Sequence, residues 1–248
     1  MKTYRALAGA GIAGLGALAL TLVGCAGSRA PGTDTDEAAS TAPCGPEGLI
    51  DDAEDGNNQV VVREGRAGYW YTFADDSSTV TPAPGGTFAM SEGGAQGSRY
   101  AARMQGRVGT ASIVYVGMGL SLLDPKGAYD ASRYGGIRFY GKRTGGDVPV
   151  RIKLPDRDTD PDGGRCQECF NDFGTVVSLT DAWTEYVLPF AAATQEESWG
   201  DKFPRLATNA IYQVQWQVNT PGADFDIWID DVAFVGCHGG ADERTPTH

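Results

Sequence analysis

The sequence predicts an all-β domain built as a two-sheet β-sandwich. Three observations carry this. Short stretches of period-two hydrophobicity recur through the middle and end of the chain. Glycine is abundant, at 35 residues in a chain of 248, and supplies the turns that many short strands need. No amphipathic helix of useful length is evident; the apolar stretch 110–122 is rich in β-branched residues and broken by glycine.

Taken in chain order, the first element is not part of that domain. Lys2 and Arg5 precede an uncharged run from Ala6 to Val23, which ends in Leu22-Val23-Gly24-Cys25. This has the shape of a bacterial lipoprotein signal peptide: a positive start, an apolar stretch, a small residue at the cut and a thiol to carry lipid. The run is marginal for a membrane span, and its glycines are poor helix formers. Residues 1–24 therefore read as the signal, with Cys25 as the lipidation site. Residues 25–43 are small and polar and read as a flexible tether. The expected location is the bacterial cell envelope, with acylated Cys25 in the lipid bilayer. Ala26 offers no aspartate for inner-membrane retention, which points to the outer membrane.

Residues 44–238 read as one domain, long enough for a substantial core. Residues 239–248 form a polar tail that reads as disordered. Within the domain, 135–141 alternates around Ile137 and Phe139, and 148–154 sets Val148, Val150, Ile152 and Leu154 against Pro149, Arg151 and Lys153. Residues 184–190 form a further strand. In 210–218, Tyr212, Val214, Trp216 and Val218 alternate with Gln213, Gln215 and Gln217. Residues 225–235 close the domain.

Four cysteines remain beside Cys25, and four allow three pairings. Cys44 opens the domain and Cys237 closes it; since domain termini often lie close together, Cys44–Cys237 is the expected staple. In the chain-entropy description so long a loop stabilises by roughly 4–5 kcal/mol. Cys166 and Cys169 then pair across a small loop. A half zinc site there lacks a second Cys-x-x-Cys and a nearby His. A thioredoxin-type motif lacks its βαβ setting.

The formal net charge is −12, and losing Lys2 and Arg5 makes it −14. Such a surface argues against nucleic acid and anionic membranes as partners and suits cation binding. The only histidines are His238 and His248, outside the patterned region. That removes Ser-His-Asp, Cys-His and His-rich metal catalysis from the domain. No glycine-rich phosphate loop joins a strand to a helix. A carboxylate-pair glycosidase using Glu185, Glu196, Glu197, Asp156 or Asp158 stays open, but no strand carries the closely spaced carboxylates of jelly-roll glucanases. The chain is expected not to be an enzyme.

Two segments carry a signature. The first runs Leu49-Ile50-Asp51-Asp52-Ala53-Glu54-Asp55-Gly56 and continues to Gly68-Tyr69-Trp70-Tyr71-Thr72-Phe73. The last is Ile229-Asp230-Asp231-Val232-Ala233-Phe234. With Trp183-Thr184, Leu188-Pro189-Phe190 and the strand from Ile211 to Val218, this resembles the galactose-binding-like jelly rolls. Among them it is most similar to the family-11 type of carbohydrate-binding module and to related domains of complex I assembly factors. Ala53 stands where the family usually has Phe, and the 166–171 loop lies outside the family pattern.

The resemblance implies a jelly roll whose concave face binds glycan of the β-glucan type without cleaving it, and a structural calcium (Ca2+) joining the first and last strands. Calcium takes several oxygen ligands. Asp52, Glu54, Asp230 and Asp231 are the candidate ligands, Glu54 and Asp230 foremost; the same residues also read as solvated carboxylates at strand ends. A sugar site needs flat apolar surface and planar polar groups. Gln213, Gln215 and Gln217 supply amides that both donate and accept, and Arg151 and Lys153 make a similar stripe. Gln195 joins this set, and Trp70, Tyr71 and Trp199 are the candidate platforms. Trp216 and Trp228 read as core. The alternative partner is another envelope protein, which an apolar rather than amide-lined face would favour.

Overall fold

A computed structural model describes residues 41–237. The signal segment, Cys25, residues 26–40 of the tether, and the tail with His238 lie outside them. Twelve strands follow one another: β1 (Leu49–Asp51), β2 (Trp70–Ala74), β3 (Thr79–Thr81), β4 (Ser91–Glu92), β5 (Tyr100–Arg107), β6 (Val116–Ser121), β7 (Gly136–Arg143), β8 (Pro149–Leu154), β9 (Phe173–Ser178), β10 (Thr184–Pro189), β11 (Gln213–Val218) and β12 (Asp224–Val235). Among the described residues four short 3-10 turns, Pro46–Gly48, Pro161–Gly163, Phe190–Ala192 and Thr208–Ala210, lie outside the strands.

The strands form two antiparallel sheets. One runs β10-β7-β12-β5-β3, with β1 added on β12 and β4 on β5; the other runs β2-β6-β11-β8-β9. This is the predicted sandwich. Alternation explains the inner faces. Val214, Trp216 and Val218 of β11 and Val150, Ile152 and Leu154 of β8 point inward and are buried. Ile137 and Phe139 of β7 and Phe225, Ile227 and Ile229 of β12 meet them from the other sheet. Trp216 anchors the centre, stacked on Trp70 at 5.5 Å and edge-on to Phe139 at 5.3 Å.

The five strands expected from alternation are all present, within a few residues at each end. The 110–122 stretch contributes β6 only over Val116–Ser121. The strands not anticipated have weak local signals. β5 (YAARMQGR) is held by β12 on one side and by β3 and β4 on the other. β9 turns Val176 out to solvent.

Both predicted disulfides are present, Cys44–Cys237 with Cα atoms 5.6 Å apart and Cys166–Cys169 at 5.1 Å. The termini meet more fully than the bridge alone requires. Pro43 pairs with Val235, and the Gly236 N–H donates to the Ala42 carbonyl at 2.7 Å. Residues 42 and 43, expected in the tether, thus join the fold. β1 lies antiparallel on β12, Leu49 opposite Ala233 and Asp51 opposite Val232.

Candidate glycan-binding face

The outer face of the β2-β6-β11-β8-β9 sheet is set by its register. One row across it reads Tyr71, Gly119, Gln215, Lys153 and Gly174; the next reads Phe73, Gly117, Gln217, Arg151 and Val176. Tyr71 and Phe73 are two apart on β2 and share this face. Their rings lie 6.2 Å apart, and Tyr115, just before β6, continues the row 6.5 Å from Phe73. Tyr115 is 41% exposed.

The glycines of β6 make this row possible. A Cβ on Gly117 would collide with the Phe73 ring, and one on Gly119 would sit 2.9 Å from the Tyr71 hydroxyl and from Gln215 Cγ. Without side chains there, the aromatic rings lean over β6 toward the amides of β11. Asp75 fixes the end of the row. Its Oδ2 accepts from the Tyr115 N–H at 2.8 Å, while Ser77 and Ser78 donate to the same carboxylate. These donors outweigh desolvation and hold its pKa far below the usual carboxylate range.

The amide row is networked. Gln215 Nε2 donates to the Tyr71 hydroxyl at 2.8 Å and to Gln213 Oε1 at 3.0 Å. Burial pushes the Tyr71 phenol well above its ordinary pKa, so it stays protonated. Lys153 Nζ donates to Gln217 Oε1 at 3.2 Å and lies 2.9 Å from Asp172, a pair held by charge rather than by a well-aligned hydrogen bond. Arg151 donates to the carbonyls of Asp172 (3.0 Å) and Thr194 (2.9 Å), and its Nε lies 3.6 Å from Glu196. Burial lowers its pKa, opposed by Glu196 and Asp172.

Of the expected site residues, Tyr71, Arg151, Lys153, Gln213, Gln215 and Gln217 come together on this face. Two expectations need correction. Trp70 is buried in the core, where its indole donates to Asp51 Oδ2 at 2.5 Å. Consecutive strand residues face opposite ways, so Trp70 and Tyr71 cannot both be platforms. Gln195 is consumed in bridging two loops: Nε2 donates to the carbonyls of Asn171 and Asp201, and Oε1 accepts from the Phe203 N–H. Trp199 is exposed, with its indole N–H on Glu196 Oε2. Sequence reading missed Phe73 and Tyr115. The Trp70-to-Phe73 alternation and the spacing of Gly117 and Gly119 were the available signals.

The expected calcium ligands are arranged for other partners. Glu54 Oε1 accepts from the N–H groups of Arg99 (2.7 Å) and Tyr100 (2.8 Å). Asp230 accepts from Ala95 N–H at 2.7 Å and Asp231 N–H at 2.8 Å, and Asp52 accepts from Glu54 N–H at 3.3 Å. Asp231 lies at φ 49°, within the stretch where the β12–β7 register shifts. Among the described residues no three His, Cys, Asp or Glu side chains gather into a metal-holding group. Glu54 Oε1, both Asp230 oxygens and Asp52 Oδ1 are thus engaged by backbone N–H groups. Burial pushes Asp230 up to about 7, and does the same for Asp51.

The face is open. Two surface pockets of about 580 and 600 Å³ lie instead around the loop that follows Phe190, and Gln195 is the only expected site residue lining either. The face sets an aromatic row beside planar amides. Solved structures share the fold. The family 11 module of a cellulosomal cellulase from Clostridium thermocellum aligns with a TM-score of 0.54 at 14% identity, covering 78% of this chain and 96% of that one. A second structure of a family 11 module from Clostridium thermocellum, in complex with a β-1,3-1,4-mixed-linked tetrasaccharide, aligns at 0.51 with 14% identity, covering 73% and 96%. A family 30 carbohydrate-binding module also aligns at 0.51, with 15% identity and coverage of 73% and 95%. The fold is that of carbohydrate-binding modules. No protein-family model and no curated protein matches the chain.

Proposed function

We propose that the outer face of the five-stranded sheet binds a polysaccharide of the β-glucan type without cleaving it. The observation that carries this is the Tyr71–Phe73–Tyr115 row beside Gln213, Gln215 and Gln217. Flat rings take the CH faces of sugars, and amides take their hydroxyls. The mixed-linkage tetrasaccharide on the family 11 module supports the choice of glycan class. The amide and cation lining favours glycan over a protein partner. Two carboxylates approach the face, Asp172 and Glu196, and each is engaged: Asp172 by Lys153, Glu196 by Arg151 and the Trp199 indole. That suits a binding surface better than a general acid and base. In this reading the domain hangs from lipidated Cys25 on the envelope and holds polymer there.

The test is calorimetric titration of the chain, purified in detergent, with mixed-linkage β-glucan, cellulose and xylan oligosaccharides beside a reducing-sugar assay. Net hydrogen-bond gains of about 1 kcal/mol each set the expected Kd between micromolar and millimolar. Saturable heat without new reducing ends is the expected result. New reducing ends would mean a hydrolase.

A further inference from the structure

Two exposed aromatic side chains lie away from the β2 row: Phe170 is 57% exposed and Trp199 is 44% exposed. They sit on different loops, and hydrogen bonds clasp those loops together. Asn171 Nδ2 donates to the carbonyls of Glu196 (2.8 Å) and Trp199 (2.6 Å), and its Oδ1 accepts from the Glu196 N–H at 2.9 Å. The Gln167 N–H donates to Asp201 Oδ2 at 2.6 Å, and the Asp201 N–H donates to the Glu168 carbonyl at 3.0 Å. The Cys166–Cys169 bridge closes the turn directly before Phe170.

Phe170 itself sits at φ 72°, in the left-handed region that bulky residues disfavour. The backbone is thus held where glycine would be easier, and it presents an apolar ring to water. Core packing gives no reason for Phe at this position. Both loops dock on the cations of β8. Asp172, two residues past Phe170, pairs with Lys153; Glu196, which accepts from the Trp199 indole, lies 3.6 Å from Arg151. The loops that carry the two rings are therefore anchored at the β8 side of the face, opposite Tyr71, Phe73 and Tyr115. β2 and β8 are three strand spacings apart in the sheet, about 14 Å.

We propose that Phe170 and Trp199 form a second platform for the same polysaccharide, so that the face holds one chain of several sugar units at two points. This rests on the glycan-binding reading above. The second platform selects for chain length: a short oligosaccharide reaches only the β2 row, and a longer one spans both.

Calorimetric titration of the full chain with mixed-linkage β-glucan oligosaccharides of increasing length tests this. Affinity of the unsubstituted chain should rise with length in two steps. Phe170→Ala and Trp199→Ala should each remove the second step, costing about tenfold in Kd on the longest oligosaccharide and nothing on the shortest. Phe73→Ala should weaken every length. Phe170→Gly separates platform from scaffold: glycine suits the left-handed backbone, so the thermal midpoint should hold or rise while the second step is lost. Unsubstituted binding with Phe170→Ala and Phe170→Gly matching it at every length would overturn the second platform and leave the sheet-face reading standing. An unsubstituted chain that binds none of the oligosaccharides would overturn both.

Discussion

Gln215 donates to the Tyr71 hydroxyl at 2.8 Å across an intervening strand, and the residue beneath that bond is Gly119. A methyl group on Gly119 would stand 2.9 Å from the hydroxyl, from Gln215 Cγ and from the Val214 carbonyl. Gly119→Ala should therefore break the bond and push on backbone. The expected cost is about 1–3 kcal/mol in urea unfolding, together with weaker glycan binding. Unchanged stability and affinity would show that the row tolerates a side chain there.

Phe73 and Tyr71 separate ring from hydroxyl. Phe73→Ala removes half-exposed apolar surface, so about tenfold weaker binding with a small change in stability is expected. Tyr71→Phe keeps the ring and leaves the Gln215 amide short of an acceptor; stability should fall by about 1 kcal/mol while affinity changes little. Paired calorimetry and urea titration would show whether these effects divide as stated.

Asp51 and Asp230 make stability depend on pH. Burial raises both to about 7 from an ordinary value of 3.8. The folded state then holds protons that the unfolded chain releases. Their contribution is fully present below the unfolded value and is lost as pH rises through about 7. The thermal midpoint in EDTA should rise from pH 8 to pH 5. Asp51→Asn, which keeps an acceptor for the Trp70 indole, should flatten that rise. Calcium at pH 8 should leave the midpoint unchanged; a large upward shift would show that Glu54, Asp230 and their neighbours rearrange around the ion.

The Cys44–Cys237 bridge closes a loop with a sequence separation of 193. Replacing both with Ser should lower unfolding free energy by roughly 4–5 kcal/mol in the chain-entropy description. Backbone pairing of residues 42–43 with the last strand stays available, so the fold should survive with a lower midpoint. A midpoint equal to that of the unsubstituted chain would mean that this pairing alone holds the ends.

Much of the fold was legible because period-two alternation reports burial directly. Val148 to Leu154 and Tyr212 to Val218 read as half-buried strands, and their inward residues are the core. β5 was not legible, since its Ala and Arg residues are poor strand formers and its pairing comes from distant β12 and from β3 and β4. The site divides in the same way. The glutamine row was visible because its three members repeat every second residue. Phe73 and Tyr115 were missed because they join a surface only when β2 lies on β6, with Gly117 between them and β11.

The sequence by itself determined the sheet-forming segments, the inward and outward faces of β8 and β11, and the scarcity of catalytic residue types. These follow from residue chemistry and from alternation along one strand. Only the tertiary structure decided that Trp70 is core, that Gln195 bridges two loops, that Glu54 Oε1 and both Asp230 oxygens accept from backbone N–H groups, and that the loops carrying Phe170 and Trp199 are clasped together. Each of these depends on which strands and loops become neighbours, and register between distant segments is set by packing of the whole core rather than by any local stretch.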